Sequence, residues 1–287
     1  MIKKIARKVL PKKWMGEETI IPVVRLKGVI GEGSKINPGL NLEAVNEQLE
    51  SAFENKSAPA IGILVNSPGG SPVQSRQIYL RIRQLAALHN KQVLVFVEDV
   101  AASGGYMIAL AGDEIFVDPA SIIGSIGVVS SGFGFTSLIE KIGVERRVYT
   151  AGKKKVTLDP FAPEVAEDVE HLKTLQREIH DLFITMVKER RGDVLAQDDD
   201  IFSGLFWTGE KAQQLGLVDG IEDVYGLLQK RYGDKVKVKY EEASKGFISK
   251  LIGAHSEKLD LRSGVQAMPD AAIQSLEERT IRARYEI

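Results

Sequence analysis

The sequence has no cysteine among its 287 residues. Disulfides, thiol nucleophiles and cysteine-ligated metals are therefore excluded, although this absence does not fix the compartment. It has almost no net charge, since 38 basic side chains face 39 acidic ones and leave −1. No global field recruits nucleic acid or an acidic surface. It also lacks an apolar run long enough to cross a membrane as a helix. The longest uncharged stretch, Pro119 to Ile139, is broken by Gly124, Gly127, Gly132 and Gly134. It reads as a buried, glycine-dense turn and strand region. The start, "MIKKIARKVLPKKWMG", is basic but lacks the apolar core of a signal peptide. Internal repeats and low-complexity linkers are absent too.

What is present is ordinary for a globular chain with a real core: 44% hydrophobic and 27% charged residues. Ile2, Ile5, Val9 and Leu10 interleave with Lys3, Lys4, Arg7 and Lys8. That composition suits a solvated terminus and also a short segment resting on an anionic membrane. The expected location is cytoplasmic or peripheral on a membrane, with no nucleic-acid partner.

Hydrophobic patterning gives the organisation. "IIPVVRLKGVIG" predicts a strand ended by glycine. Leu42, Val45, Leu49 and Phe53 share one helical face. "AIGILVN" and "QVLVFVE" are continuous apolar runs, as in strands buried on both faces. Helical spacing separates them at Ile78, Ile82 and Leu85. A short helix should follow Ser103, and "EIFVD" predicts a third short strand. Pro163 to Arg190 predicts a long helix with acids early and bases late, as the helix dipole prefers. Thr208 looks like a helix cap, and "LGLVDGI" leads into a last helix. This alternation argues for an α/β fold with a largely parallel sheet, either plain or as stacked crossover units. Residues 1–19 form a basic N-terminal segment, 20–240 one domain, and 241–287 a polar C-terminal appendage of unknown role.

Each of the two buried strands ends in a glycine-bearing turn, "NSPGGS" at Asn66 to Ser71 and "AASGG" at Ala101 to Gly105. Sites form at the carboxyl ends of parallel strands. Glycine lets backbone N–H groups approach a ligand, and two such turns side by side can aim two donors at one point, as an oxyanion hole does. Ser103, at the start of a helix, would sit there as a nucleophile. Taken singly, Pro-Gly-Gly is a common turn and serine a common cap.

A serine hydroxyl needs a base. His89, His171, His180 and His255 all lie outside strand ends and glycine turns, so each reads as a surface histidine. A lysine can serve if it is neutral. Moving its pKa from about 10.4 to about 7 costs roughly 4–5 kcal/mol, which demands an apolar setting and a hydroxyl or carbonyl partner. In "YTAGKKKVTLDPF", Gly152 ends the expected strand "RRVYTAG", and Lys153, Lys154 and Lys155 follow. Extended backbone would point Lys153 and Lys155 one way and Lys154 the other. Spacing alone does not choose among them, and a lysine triplet is also what a solvated face looks like.

The segments "SPGGS", "VAASGGYMIALAGDEIFVDPASIIGSIGV", "AGKKK" and "FSGLFWTGEKAQQLGLVDGI" resemble the signal peptide peptidase A (protease IV) family of Ser-Lys serine peptidases. That family shares the Clp protease/crotonase fold. The resemblance covers about residues 20–240, with the motifs in the family's order and spacing. It implies Ser103 as nucleophile and Lys155 as general base. It implies that the Ser125 hydroxyl orients the lysine amine, and that the backbone N–H groups of Gly70 and Gly104 form the oxyanion hole. The implied chemistry uses no cofactor and no metal. The implied substrates are signal peptides or other apolar peptide fragments. The implied assembly is a homo-oligomeric ring or bowl, and its serine and lysine can meet either within one protomer or between neighbours. Many relatives begin with a membrane-spanning helix, and this chain departs from that pattern. Two rival functions use the same features. An acyl-CoA-processing crotonase-type enzyme would use Glu98 and Asp99 for proton transfer, and a ring scaffold would use none of these groups.

Overall fold

The structure is a computed structural model, and it describes residues 18–32 and 39–242. Nearly all of the basic N-terminal segment and of the C-terminal appendage lies outside the described residues.

Strand β1 (Ile20–Lys27) leads to helix α1 (Leu42–Glu54), β2 (Ala60–Ser67), α2 (Pro72–His89) and β3 (Gln92–Ala102). Asn41 caps α1 by accepting from the Ala44 amide. Ser71 caps α2 in the same way through the Gln74 amide, with Pro72 preset at the first helical position. The chain continues through α3 (Gly104–Ala109), β4 (Glu114–Val117), β5 (Ile122–Gly124), α4 (Thr136–Lys141) and the long α5 (Ala166–Arg191). It ends with β6 (Phe206–Thr208), α6 (Gly209–Gln214), β7 (Gly220–Ile221), α7 (Val224–Tyr232) and β8 (Lys237–Tyr240).

The sheet runs β6-β5-β3-β2-β1-β8, with β4 branching off β3 and β7 pairing with β4. Among the described residues only the β5–β6 pair is antiparallel. The fork lies in β3. Leu94–Val97 pairs with β4, whereas Val100–Ala102 pairs with β5. The β2–β3 register also shifts, between Val65 and Ser67. The largely parallel α/β arrangement with helical crossovers is the expected one.

Alternation explains why the central strands read as unbroken apolar runs. Val93, Val95 and Val97 of β3 enter the larger core with α1, α2 and α3, while Leu94 and Phe96 enter a second core with α7. A parallel strand covered on both faces has no polar side to show. Packing is close at α3, all six residues of which are buried. A Cβ on Gly105 would sit 2.3 Å from the Ser67 carbonyl oxygen. Gly105→Ala is expected to cost about 1–3 kcal/mol through overpacking. Thermal unfolding should register it as a midpoint lowered by about 2–4 °C per kcal/mol.

Two local expectations fail. Pro119 to Ile139 is buried only in its first part, and from 129 to 167 no residue is buried. This segment forms an arm with its own small cluster. Phe135 stacks on Phe161 at 5.5 Å, and Arg146 lies over the Phe161 ring while pairing with Asp159 at 3.1 Å. The Phe161 amide, and then Arg146, hold the Asp159 carboxyl below its usual range. The arm exposes Phe133 and Tyr149, at 80% and 91%. The expected strand "RRVYTAG" also does not form. A strand needs a partner edge, and among the described residues none pairs with it.

Candidate active site

The ends of β2 and β3 meet. After Ser67 the chain turns through Gly69 and Gly70, at φ +109° and +140°, where a side chain would be strained. The turn is stitched to the segment after β1. The Ile30 amide donates to the Gly69 carbonyl at 2.8 Å, and the Ser71 amide donates to the Ile30 carbonyl at 2.7 Å. A Cβ on Gly69 would lie 2.8 Å from the Ser103 Cβ and 3.0 Å from the Gly104 nitrogen. The two glycine turns are thus in direct contact, and side-chain-free backbone is what allows it.

Ser103 heads α3 but does not behave as a cap. Its φ of 51° and ψ of −121° lie outside the extended region that caps adopt, and its side chain makes no capping bond. Ser71 shows the contrast, since its hydroxyl does accept from the first turn of α2. Holding a serine at positive φ costs about 1–3 kcal/mol, which the surroundings must over-determine. They do so through the Ser103 amide, which donates to the Gly124 carbonyl at 2.8 Å, and through the Ser103 carbonyl, which accepts from Met107 at 3.0 Å. Below, the Tyr106 hydroxyl donates to the Leu217 carbonyl at 2.7 Å, and burial pushes this phenol up.

The bond to Gly124 carries the next residue, Ser125, to the same place. Ser125 also has positive φ, 53°, and its amide donates to the Leu205 carbonyl at 2.7 Å. The Pro-Gly-Gly turn, the head of α3 and the end of β5 therefore meet, Gly69 against Ser103 and Gly104, and Ser103 against Gly124. A Cβ on Gly124 would meet the Trp207 ring at 2.8 Å, so this close passage also needs glycine.

The lysines lie elsewhere on the chain. Residues 151–156 form turns, with Gly152 at φ +105° and the Lys155 amide donating to the Gly152 carbonyl at 3.1 Å. Lys154 is engaged by two acids, Glu167 at 2.7 Å and Asp168 at 3.2 Å, and these hydrogen bonds hold its ammonium charged. Lys154 is thereby unsuited to be a base. Lys153 and Lys155 are exposed, and among the described residues no hydrogen bond joins Lys155 to Ser103.

Of the other candidates, His171 is exposed as expected, and His255 lies outside the described residues. His89 is half-buried, its ring 6.3 Å from Phe53. His180 departs from expectation. It is half-buried, and its Nε2 lies 3.0 Å from the Ile126 carbonyl, one residue beyond Ser125. Helical spacing on α5 did not reveal that role, because the partner is a loop more than fifty residues away. The acids needed by an acyl-CoA chemistry are occupied. Glu98 makes a forked ion pair with Arg25 at 2.6–3.0 Å, and Asp99 accepts from Asn66 at 2.6 Å.

The model of peptidase family S49 matches residues 86–239, more than half of the chain and the span from the end of α2 to β8. The chain belongs to peptidase family S49. Relatives agree across most of its length. A Brucella melitensis protein named Na(+)/H(+) antiporter NhaA is 55% identical over 285 residues, 98% of this chain and 39% of that protein. The chloroplastic serine protease SPPA of Arabidopsis thaliana is 33% identical over 222 residues, 73% of this chain and 32% of that protein. Protease 4 of Haemophilus influenzae is 33% identical over 204 residues, 70% of this chain and 32% of its own. This S49 chain thus spans less than two thirds of the length of each of these relatives. Among its described residues no helix is long and apolar enough to cross a membrane.

Proposed function

We propose that this S49 chain is a serine endopeptidase with Ser103 as nucleophile and Lys155 as general base. The observation that carries the reading is Ser103 itself, a strained serine at a helix start that caps nothing and faces a glycine turn. Neutral Lys155 takes the hydroxyl proton as Ser103 Oγ attacks the peptide carbonyl. The N–H groups of Gly70 and Gly104 stabilise the resulting oxyanion, each worth about 3–4 kcal/mol. The lysinium returns its proton to the leaving amine. Water then attacks the acyl-enzyme with Lys155 again as base, releasing the acid and free Ser103. Ser125 holds the amine in place. No cofactor or metal enters these steps.

The substrate lies extended along the strand ends, where backbone pairing tolerates varied sequence. Signal peptides and other apolar fragments suit this mode, in keeping with the family resemblance. Exposure of Lys155 in the single chain favours a site completed by a second copy, because a neutral amine requires burial. The apolar residues bared along the arm supply a surface for that contact, and we assign the chain to a homo-oligomeric ring or bowl.

The acyl-CoA alternative is disfavoured by the pairing of Glu98 and Asp99. A fluorophosphonate probe tests the proposal. It is expected to label the wild-type protein on Ser103, to label Lys155→Ala far more slowly, and to leave Ser103→Ala unlabelled. Equal labelling of the Ser103→Ala protein, or tight binding of CoA at the site, would defeat the reading.

A further inference from the structure

The lysine turn is fastened at one point. Lys154 Nζ reaches Glu167 Oε2 at 2.7 Å and Asp168 Oδ1 at 3.2 Å, both in the first turn of α5. The two acids differ in kind. The Glu167 side chain is 77% exposed and the Asp168 side chain only 10%. An ion pair to an exposed carboxylate contributes little, whereas a buried carboxylate left alone is strongly unfavourable. Asp168 is therefore the anchor and Glu167 an accessory.

Place matters as much as strength. Asp168 is the first buried residue after the arm, and so marks where the chain re-enters the core. The tie to Lys154 fixes the lysine turn against that re-entry point. Neighbouring Lys155 is left to project from a turn whose backbone is closed by its own amide on Gly152. An exposed turn with no other tie to the core among the described residues thus gains a fixed origin one residue from the proposed base.

We infer that Lys154, held by Asp168, is a positioning residue that sets the reach and direction of Lys155. The inference rests on the Ser103–Lys155 reading. Lys154 touches neither substrate nor reacting atoms in this role. It acts through the backbone it pins, and a base misplaced by about 1 Å can cost 10²-fold.

The test uses steady-state hydrolysis of an apolar fluorogenic peptide by the full-length protein. Lys154→Gln is expected to lower kcat by about 10- to 100-fold with KM within about twofold, because binding does not need the base. Lys154→Arg, which can still span to Asp168, should recover most of the loss. Asp168→Asn should match Lys154→Gln, and the double variant should be no worse than either, since both break one tie. Glu167→Gln and Lys153→Gln should stay close to wild type. Wild-type kcat in Lys154→Gln would overturn the inference. So would losses that multiply in the double variant, or a kcat loss that follows a lowered unfolding midpoint or a dissolved assembly. Ser103→Ala, assayed alongside, separates the two levels. If it retains activity, the peptidase reading fails. If it is dead while Lys154→Gln is fully active, only the positioning role fails.

Discussion

Ser103→Ala is expected to lower kcat by roughly four to six orders of magnitude while leaving the fold intact. The hydroxyl is the proposed attacking group, and without it the paired amides can only hold substrate beside water. Residual turnover should be what the oxyanion hole and binding alone provide. The stability side of the prediction is as specific. A serine that capped α3 would cost about 1 kcal/mol on removal. Ser103 makes no capping bond, so alanine should be nearly neutral. Glycine should go further. At φ 51° and ψ −121° it relieves strain, and Ser103→Gly is expected to raise stability by about 1 kcal/mol while being equally inactive. Thermal unfolding beside kcat measures both. A substitution that stabilises and inactivates together marks strain kept for function. Ser103→Gly that destabilises, or Ser103→Ala that still hydrolyses peptide, would contradict it.

The part of this site legible in the sequence is the part made by local backbone. The runs at 60–67 and 92–97 read as strands because both faces of each are covered, by α1 to α3 on one side and α7 on the other. The Gly-Gly turns were legible because glycine at a strand end has few other purposes. Their contact was not, since nothing in either segment states that a Cβ on Gly69 would strike Ser103. Two kinds of information were hidden. Partners remote in sequence, such as Ile126 for His180 and Asp168 for Lys154, leave no periodic trace. Composition without an available edge leaves a misleading one. The segment "RRVYTAG" has a strand's composition but finds no partner edge among the described residues. The exposed second half of Pro119 to Ile139 is similar, since among the described residues nothing covers Val129 or Phe133. The choice of Lys155 over Lys153 came from family resemblance, while the ion pairs of Lys154 remove the middle lysine on physical grounds.

The arm and the exposed base converge on the second large effect. Lys155→Ala alone should be as inactive as Ser103→Ala, because a serine hydroxyl without a base is a weak nucleophile. Mixed in one assembly, the two dead proteins are expected to recover activity. A ring is built from head-to-tail contacts, so each site would draw its serine from one subunit and its lysine from the next. In a random equal mixture, about a quarter of such contacts pair an intact Ser103 with an intact Lys155. Recovery should thus plateau near one quarter of wild-type kcat per chain, after co-expression or dissociation and reassembly. If both residues came from the same subunit, every site in the mixture would lack one of them and no activity would return. Mass measurement of the mixed assembly, confirming that both variants are present, makes a null result decisive. Absence of activity from a confirmed mixture would confine the dyad to one chain and require the 129–167 arm to fold back onto its own Ser103.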